Sequence, residues 1–161
     1  MGSNKLPVWI QGQGALGTYL AVRLAQAGHP VTVRSGRVDA PETRELAIAG
    51  RTRERTMVEI TPHAPDGPLD LAILTTRAAQ AVGTAKALAT HLHPEGALAT
   101  VQNGLVALDV PDAVGHDRVV AMIIGFNAAM VDASTVQVTS PGGITLGALG
   151  PGAQDMADRL A

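Results

Sequence analysis

The stretch VWIQGQGALGTYLAVRLAQAGHPVTVR, residues 8–34, restricts the fold more than any other part of the chain. An apolar run from Leu6 to Gln11 ends at a glycine, as a short buried strand does. Ala15 to Ala27 then reads as a helix, with Leu16, Leu20, Leu24 and Ala27 on one face and Gly28 as a left-handed stop. Val31 to Arg34 reads as a second strand, which completes a βαβ unit. The glycines fall between strand and helix, where dinucleotide chemistry needs them. Gly12 permits a tight turn, Gly14 lets backbone approach a pyrophosphate, and Gly17 lets the helix lie close on the strand. The helix N-terminus then offers N–H groups and the positive end of its dipole to the phosphates. The pyrophosphate loop is expected to comprise Gly12, Gln13, Gly14, Ala15, Leu16 and Gly17. The competing reading is a tight turn that binds nothing.

The end of the second strand bears on which dinucleotide. NAD-binding versions place an acid about 20 residues on, against the ribose 2′-hydroxyl. Here the region reads Val33, Arg34, Ser35, Gly36, Arg37, and the first acid afterwards is Asp39. Guanidinium and hydroxyl groups are what a 2′-phosphate needs. Arg34, Ser35 and Arg37 therefore favour NADP(H), against the alternative of a solvated basic turn.

Further along, Glu45–Ala49 and Arg55–Ile60 read either as short strands or as the end of a helix and the start of a hairpin. Residues 61–68 form a loop by their prolines and glycine. Leu69–Thr76 reads as a buried strand. Ala78–Leu92 reads as a helix with Val82, Ala85, Leu88 and Leu92 on one side, and Gly96–Gly104 as a strand running into a glycine turn. Four short runs follow, at Arg118–Ile124, Asn127–Val131, Val136–Thr139 and Ile144–Leu146, and read as strands continuing or flanking the sheet. The apolar run VVAMIIGFNAAMV reads as paired core strands, too short to span a bilayer. A helical pattern begins at Gln154. The fold class is thus α/β: a Rossmann-like sheet with helices on both faces and extra short strands in the last third. Hydrophobic residues are 46% and aromatics 2% of the 161 residues, so one domain with an aliphatic, alanine-rich core is expected.

GQGALGTYLAVRLAQAGHPVTV, LAILTTRAAQ, ATVQNGL and PGGITLGALG together resemble the ketopantoate reductase family, NADP-dependent 2-dehydropantoate 2-reductases of pantothenate biosynthesis. The resemblance implies an N-terminal Rossmann-like domain that binds NADPH, and hydride transfer to a small 2-oxo acid. The family's lysine after the fourth strand falls on Arg77, which keeps the charge but not the shape. Its asparagine falls on Asn103, expected on the nicotinamide and substrate side. Its arginine after the second strand falls near Arg34 to Arg37. The helical C-terminal domain, with the general-acid lysine, is expected to lie outside these residues, so that 1–161 is one NADP-binding domain inactive by itself. The strand ends bearing QGQG, TTR and QNG bring Thr75, Thr76, Arg77, Gln102 and Asn103 to one crevice. For Thr75, Thr76 and Gln102, ordinary turn chemistry competes evenly with a ligand role.

Other chemistries find less support. No cysteine is present, which excludes disulfides and thiolate sites and fits a reducing, cytoplasmic setting. His91 and His93, two apart on a helix, point to different faces, and no metal site is expected. A net charge of -2 gives no reason to expect nucleic acid or an anionic membrane. Met156 and Leu160 are expected to be left uncovered, which would favour a two-fold dimer. Two rival functions stand: a non-catalytic NADP-binding module, and a related dehydrogenase with another substrate.

Overall fold

The first βαβ unit forms where the glycine spacing predicts it. In the computed structural model, which describes residues 5–50, 53–102 and 106–161, β1 spans Val8–Gln11, α1 Ala15–Gln26 and β2 Val31–Arg34. Gly28 takes φ +95°, and its N–H and that of His29 turn back to the carbonyls of Ala25 and Leu24, which ends the helix. The open choice after β2 resolves to strands. β3 (Glu42–Ala49) and β4 (Glu54–Thr61) pair as an antiparallel hairpin. There follow β5 (Leu69–Leu74), α2 (Ala78–Ala89), β6 (Leu92–Thr100) and α3 (Val106–Val114). The chain closes with β7 (Val119–Ile124), β8 (Asn127–Met130), β9 (Thr135–Ser140), β10 (Ile144–Ala148) and α4 (Gln154–Leu160).

The ten strands of the described residues join one sheet in the order β10-β7-β6-β5-β1-β2-β4-β3-β9-β8. The run from β7 to β4 is parallel throughout. From β1 the chain steps outward to β2, whereas from β5 it steps the opposite way to β6. Right-handed crossovers in opposite directions put their helices on opposite faces. Accordingly Leu20, Ala21 and Val22 of α1 join a core with Ile10, Val33 and Ile73, while Ala81, Ala85 and Leu88 of α2 join a second core with Trp9, Leu74 and Leu98. Both are mainly aliphatic, with Met122 and Met156 in the first core and Trp9 in the second.

The sheet is curled. β7 and β8 are separated by only Gly125 and Phe126, yet lie near opposite ends of the strand order. The chain can make that step only if the sheet bends until its ends approach. At the corner the N–H of Gly125 donates to the carbonyl of Gly143 (2.8 Å), and the Phe126 ring packs on Tyr19 of α1 with centroids 4.5 Å apart. The curl wraps α1, whose buried surface is therefore broader than one stripe and includes Thr18 and Val22.

Four sequence expectations need correction. Ala27 is exposed at the helix end and does not share the buried face. Leu92 begins β6 rather than ending α2. The two strands within VVAMIIGFNAAMV do not pair with each other, because β7 pairs with β6 and β10 and β8 with β9. Met156 is buried in the core, and Leu160 is packed against it, so they do not form the uncovered patch expected of them. α3 is a helix the sequence reading missed. Pro111 lies inside it, and Val110 is fully buried against the α2 layer. No helix among the described residues is long and apolar enough to cross a membrane.

Candidate dinucleotide site

The strand order reverses direction between β1 and β5, and open α/β sheets bind ligands in the crevice above that point. The glycine loop lies there, and its three glycines differ in what they do. Gly12 takes φ +123°, and a Cβ on it would stand 2.9 Å from Thr75 Oγ1. A Cβ on Gly17 would run into the carbonyl oxygen of Gly12. Turn and helix thus pack so closely that both glycines are required by the protein itself. Gly14 differs. Its φ of −94° and ψ of −168° suit any residue, and a Cβ there would meet no atom of the described residues within 4 Å. Among the described residues no side chain caps α1, and no acid lies in its first turn, so its leading N–H groups face this open space. Ala15 and Leu16 are half-buried there and pack on the core below.

Gln13 behaves otherwise. Its side chain turns inward, 5% exposed, and its Nε2 donates to the carbonyl of Ala133 in the turn between β8 and β9 (3.1 Å). Its own carbonyl accepts from Arg37 Nη1 (3.1 Å). Arg37 thereby spans from the loop after β2 to the glycine loop. The N–H of Arg37 donates to the buried Ser35 hydroxyl (3.2 Å), which holds that loop in a tight turn. Arg34, half-buried, faces the α2 side of the sheet. With Gln11, Gly83, Thr84 and Ala87 it lines a cleft of about 340 Å³ between the sheet and α2.

The floor of the crevice is cross-braced. Thr75 Oγ1 donates to the carbonyls of Gly12 (2.9 Å) and Gln11 (3.1 Å), which locks the end of β5 to the end of β1. Gln102 Nε2 donates to the carbonyl of Thr76 (2.6 Å), and its Oε1 accepts from the buried Thr100 hydroxyl, which ties β6 to β5. Thr76 Oγ1 is buried without a partner among the described residues. Arg77 is the residue preceding α2 and its side chain is exposed at the rim. Asn103 lies outside the described residues.

Two contributors were not foreseen. Gln11 was placed at the QGQG strand end but not named among the residues converging on the crevice. The Ala133 carbonyl left no trace in sequence, because a backbone acceptor 120 positions away carries no residue signature.

Similar architecture occurs in solved structures. 2-Dehydropantoate 2-reductase from Geobacter metallireducens GS-15 matches with a TM-score of 0.78 at 23% identity, over 96% of this chain and 55% of that one. A PanE/ApbA family ketopantoate reductase from Ralstonia eutropha JMP134 matches with a TM-score of 0.72 at 19% identity, over 96% and 54%. D-Mandelate dehydrogenase, in a ternary structure with NADH and anilino(oxo)acetate, matches with a TM-score of 0.75 at 18% identity, over 96% and 54%. The chain spans about half the length of these relatives. No curated protein matches it. The family model for ketopantoate reductase PanE/ApbA matches residues 8–151, from the start of β1 to the residue that follows β10 by three. The chain therefore belongs to the PanE/ApbA ketopantoate reductase family.

Proposed function

We propose that this chain binds NADPH and serves as the cofactor half of a reductase of small 2-oxo acids. The observation that carries the reading is the contrast among the three glycines. Protein atoms explain the missing side chains at Gly12 and Gly17, but among the described residues none explains the one at Gly14. A pyrophosphate seated over Gly14, at the uncapped start of α1, would explain it. Gly14, Ala15 and Leu16 would hold it through their backbone. Arg34 and Arg37 would meet a 2′-phosphate, with Ser35 shaping their turn, and the adenosine would lie towards the cleft beside α2. Thr75, Thr76 and Gln102 would keep the strand ends in register beneath the cofactor, with Arg77 at the rim. Asn103 would stand on the nicotinamide side by family resemblance.

The bound cofactor would supply the hydride, while these residues bind and orient it. Ketopantoate, and the anilino(oxo)acetate held by D-mandelate dehydrogenase, are both 2-oxo carboxylates, which supports that substrate class rather than one member of it. Titration calorimetry with NADPH and NADH tests the reading. Saturable NADPH binding that is lost in Gly14→Val is expected. A wild-type chain that binds neither cofactor would overturn it.

A further inference from the structure

Residue 13 sits between two glycines of the loop and carries a long polar side chain. That side chain does not face the open space over Gly14. It is buried, and its amide reaches the tip of the β8–β9 hairpin at the Ala133 carbonyl. The assignment of donor and acceptor is forced, since the reverse amide orientation would set Oε1 against a carbonyl oxygen. Its Oε1 is then buried with no partner among the described residues. An apolar side chain of similar length would avoid that cost, so the retained amide asks for an explanation.

The hairpin tip is itself well held. The Asp132 carboxylate accepts from the N–H groups of Ser134 (2.7 Å) and Thr135 (2.8 Å). The carbonyl of Ser134 accepts from the N–H of Ala47 in β3 (2.9 Å). The strap from Gln13 thus runs to a rigid anchor rather than to a loose loop.

We propose that Gln13 is a positioning residue, which holds the glycine loop in its cofactor-ready shape through the β8–β9 tip and not by touching the cofactor. The proposal rests on the NADPH-binding reading above. It makes the hairpin and the cofactor site energetically coupled, in both directions.

A double-mutant cycle tests it, with NADPH affinity and thermal unfolding measured on each variant. Gln13→Met removes the donor while keeping the bulk. It should weaken NADPH binding about threefold to tenfold, the loss of roughly one hydrogen bond, without lowering the melting temperature. Asp132→Ala loosens the anchor and should weaken binding about twofold to threefold in the wild-type background, but not in Gln13→Met. In the wild-type chain, NADPH should also slow hydrogen exchange at the amides of Ser134 and Thr135. That last measurement decides the matter even if Gln13→Met fails to fold. Wild-type binding of NADPH with unchanged affinity in both single variants, or additive effects in the pair, or no change in exchange at the tip, would overturn the proposal while leaving the NADPH reading intact. Absence of NADPH binding in the wild type would overturn both.

Discussion

The Thr75 hydroxyl lies 2.9 Å from the carbonyl oxygen of Gly12 and 3.1 Å from that of Gln11, so the end of β5 clasps the turn that leaves β1. One proton shared between two acceptors fixes the height of the glycine loop above the sheet. Thr75→Val keeps the shape and removes the donor. It should cost about 0.5–1.5 kcal/mol of stability, the usual net worth of one such bond. Chemical denaturation against the wild type measures it, and an unchanged midpoint would show that the clasp is dispensable.

The glycines of the loop should respond in opposite ways to small additions. Gly17→Ala forces a Cβ into the Gly12 carbonyl, an overpacking expected to cost about 1–3 kcal/mol or more. A Cβ at Gly14 meets no atom of the described residues within 4 Å, so Gly14→Val should leave the melting temperature almost unchanged while NADPH binding is lost. Thermal unfolding and calorimetry on the two variants separate the cases. A destabilised Gly14→Val would show that the open space is needed for the fold.

Cofactor choice should follow the two arginines after β2. No acid stands between Arg34 and Arg37 to favour a free 2′-hydroxyl. NADPH should bind at least about tenfold more tightly than NADH, since a charge-assisted hydrogen bond is worth roughly 1.5–3 kcal/mol. Arg34→Ala and Arg37→Ala should each lower that ratio, and Arg34→Ala should barely change NADH affinity. Arg37→Ala should also loosen the glycine loop, because its guanidinium bonds the Gln13 carbonyl. Competitive titration gives all the ratios, and a wild-type preference for NADH would refute the assignment.

Acid should open the β8–β9 tip before the rest of the sheet. Asp132 is held below the ordinary carboxylate range by the hydrogen bond from the Ser134 N–H, then by its contacts with Thr135. A carboxyl with a lowered folded-state value stabilises the fold above its unfolded value of about 3.9, and that contribution disappears as pH falls through the folded value. Exchange of the Ser134 and Thr135 amides, corrected for its intrinsic pH dependence, should therefore lose protection on acidification below the usual aspartate range. In Asp132→Asn that step should vanish. Equal acid sensitivity in wild type and variant would show that another group controls the turn.

The strand–glycine–helix–strand opening was legible in sequence almost to the residue, because each boundary there is chemical. A glycine is needed at φ +123° after β1 and at φ +95° after α1, and aliphatic spacing marks what lies between. Leu69–Leu74 and the strands of the last third were legible for the same reason, as apolar runs bounded by turn residues. Local sequence cannot name a strand's neighbour, since backbone pairing uses groups that every residue carries. Only the tertiary structure decided that β7 and β8, two residues apart, lie towards opposite ends of a curled sheet, and that the curl wraps α1. The same limit applied at the site. Three glycines looked alike in the motif, and only packing distinguished the two that the fold requires from the one that leaves room. Gln13 read as part of a phosphate loop, and only the arrival of Ala133 showed where its amide goes. Sequence determined which backbone shapes the chain can adopt. Tertiary structure decided which polar groups are consumed by the fold and which remain to meet a ligand, because that depends on contacts between segments far apart in the chain.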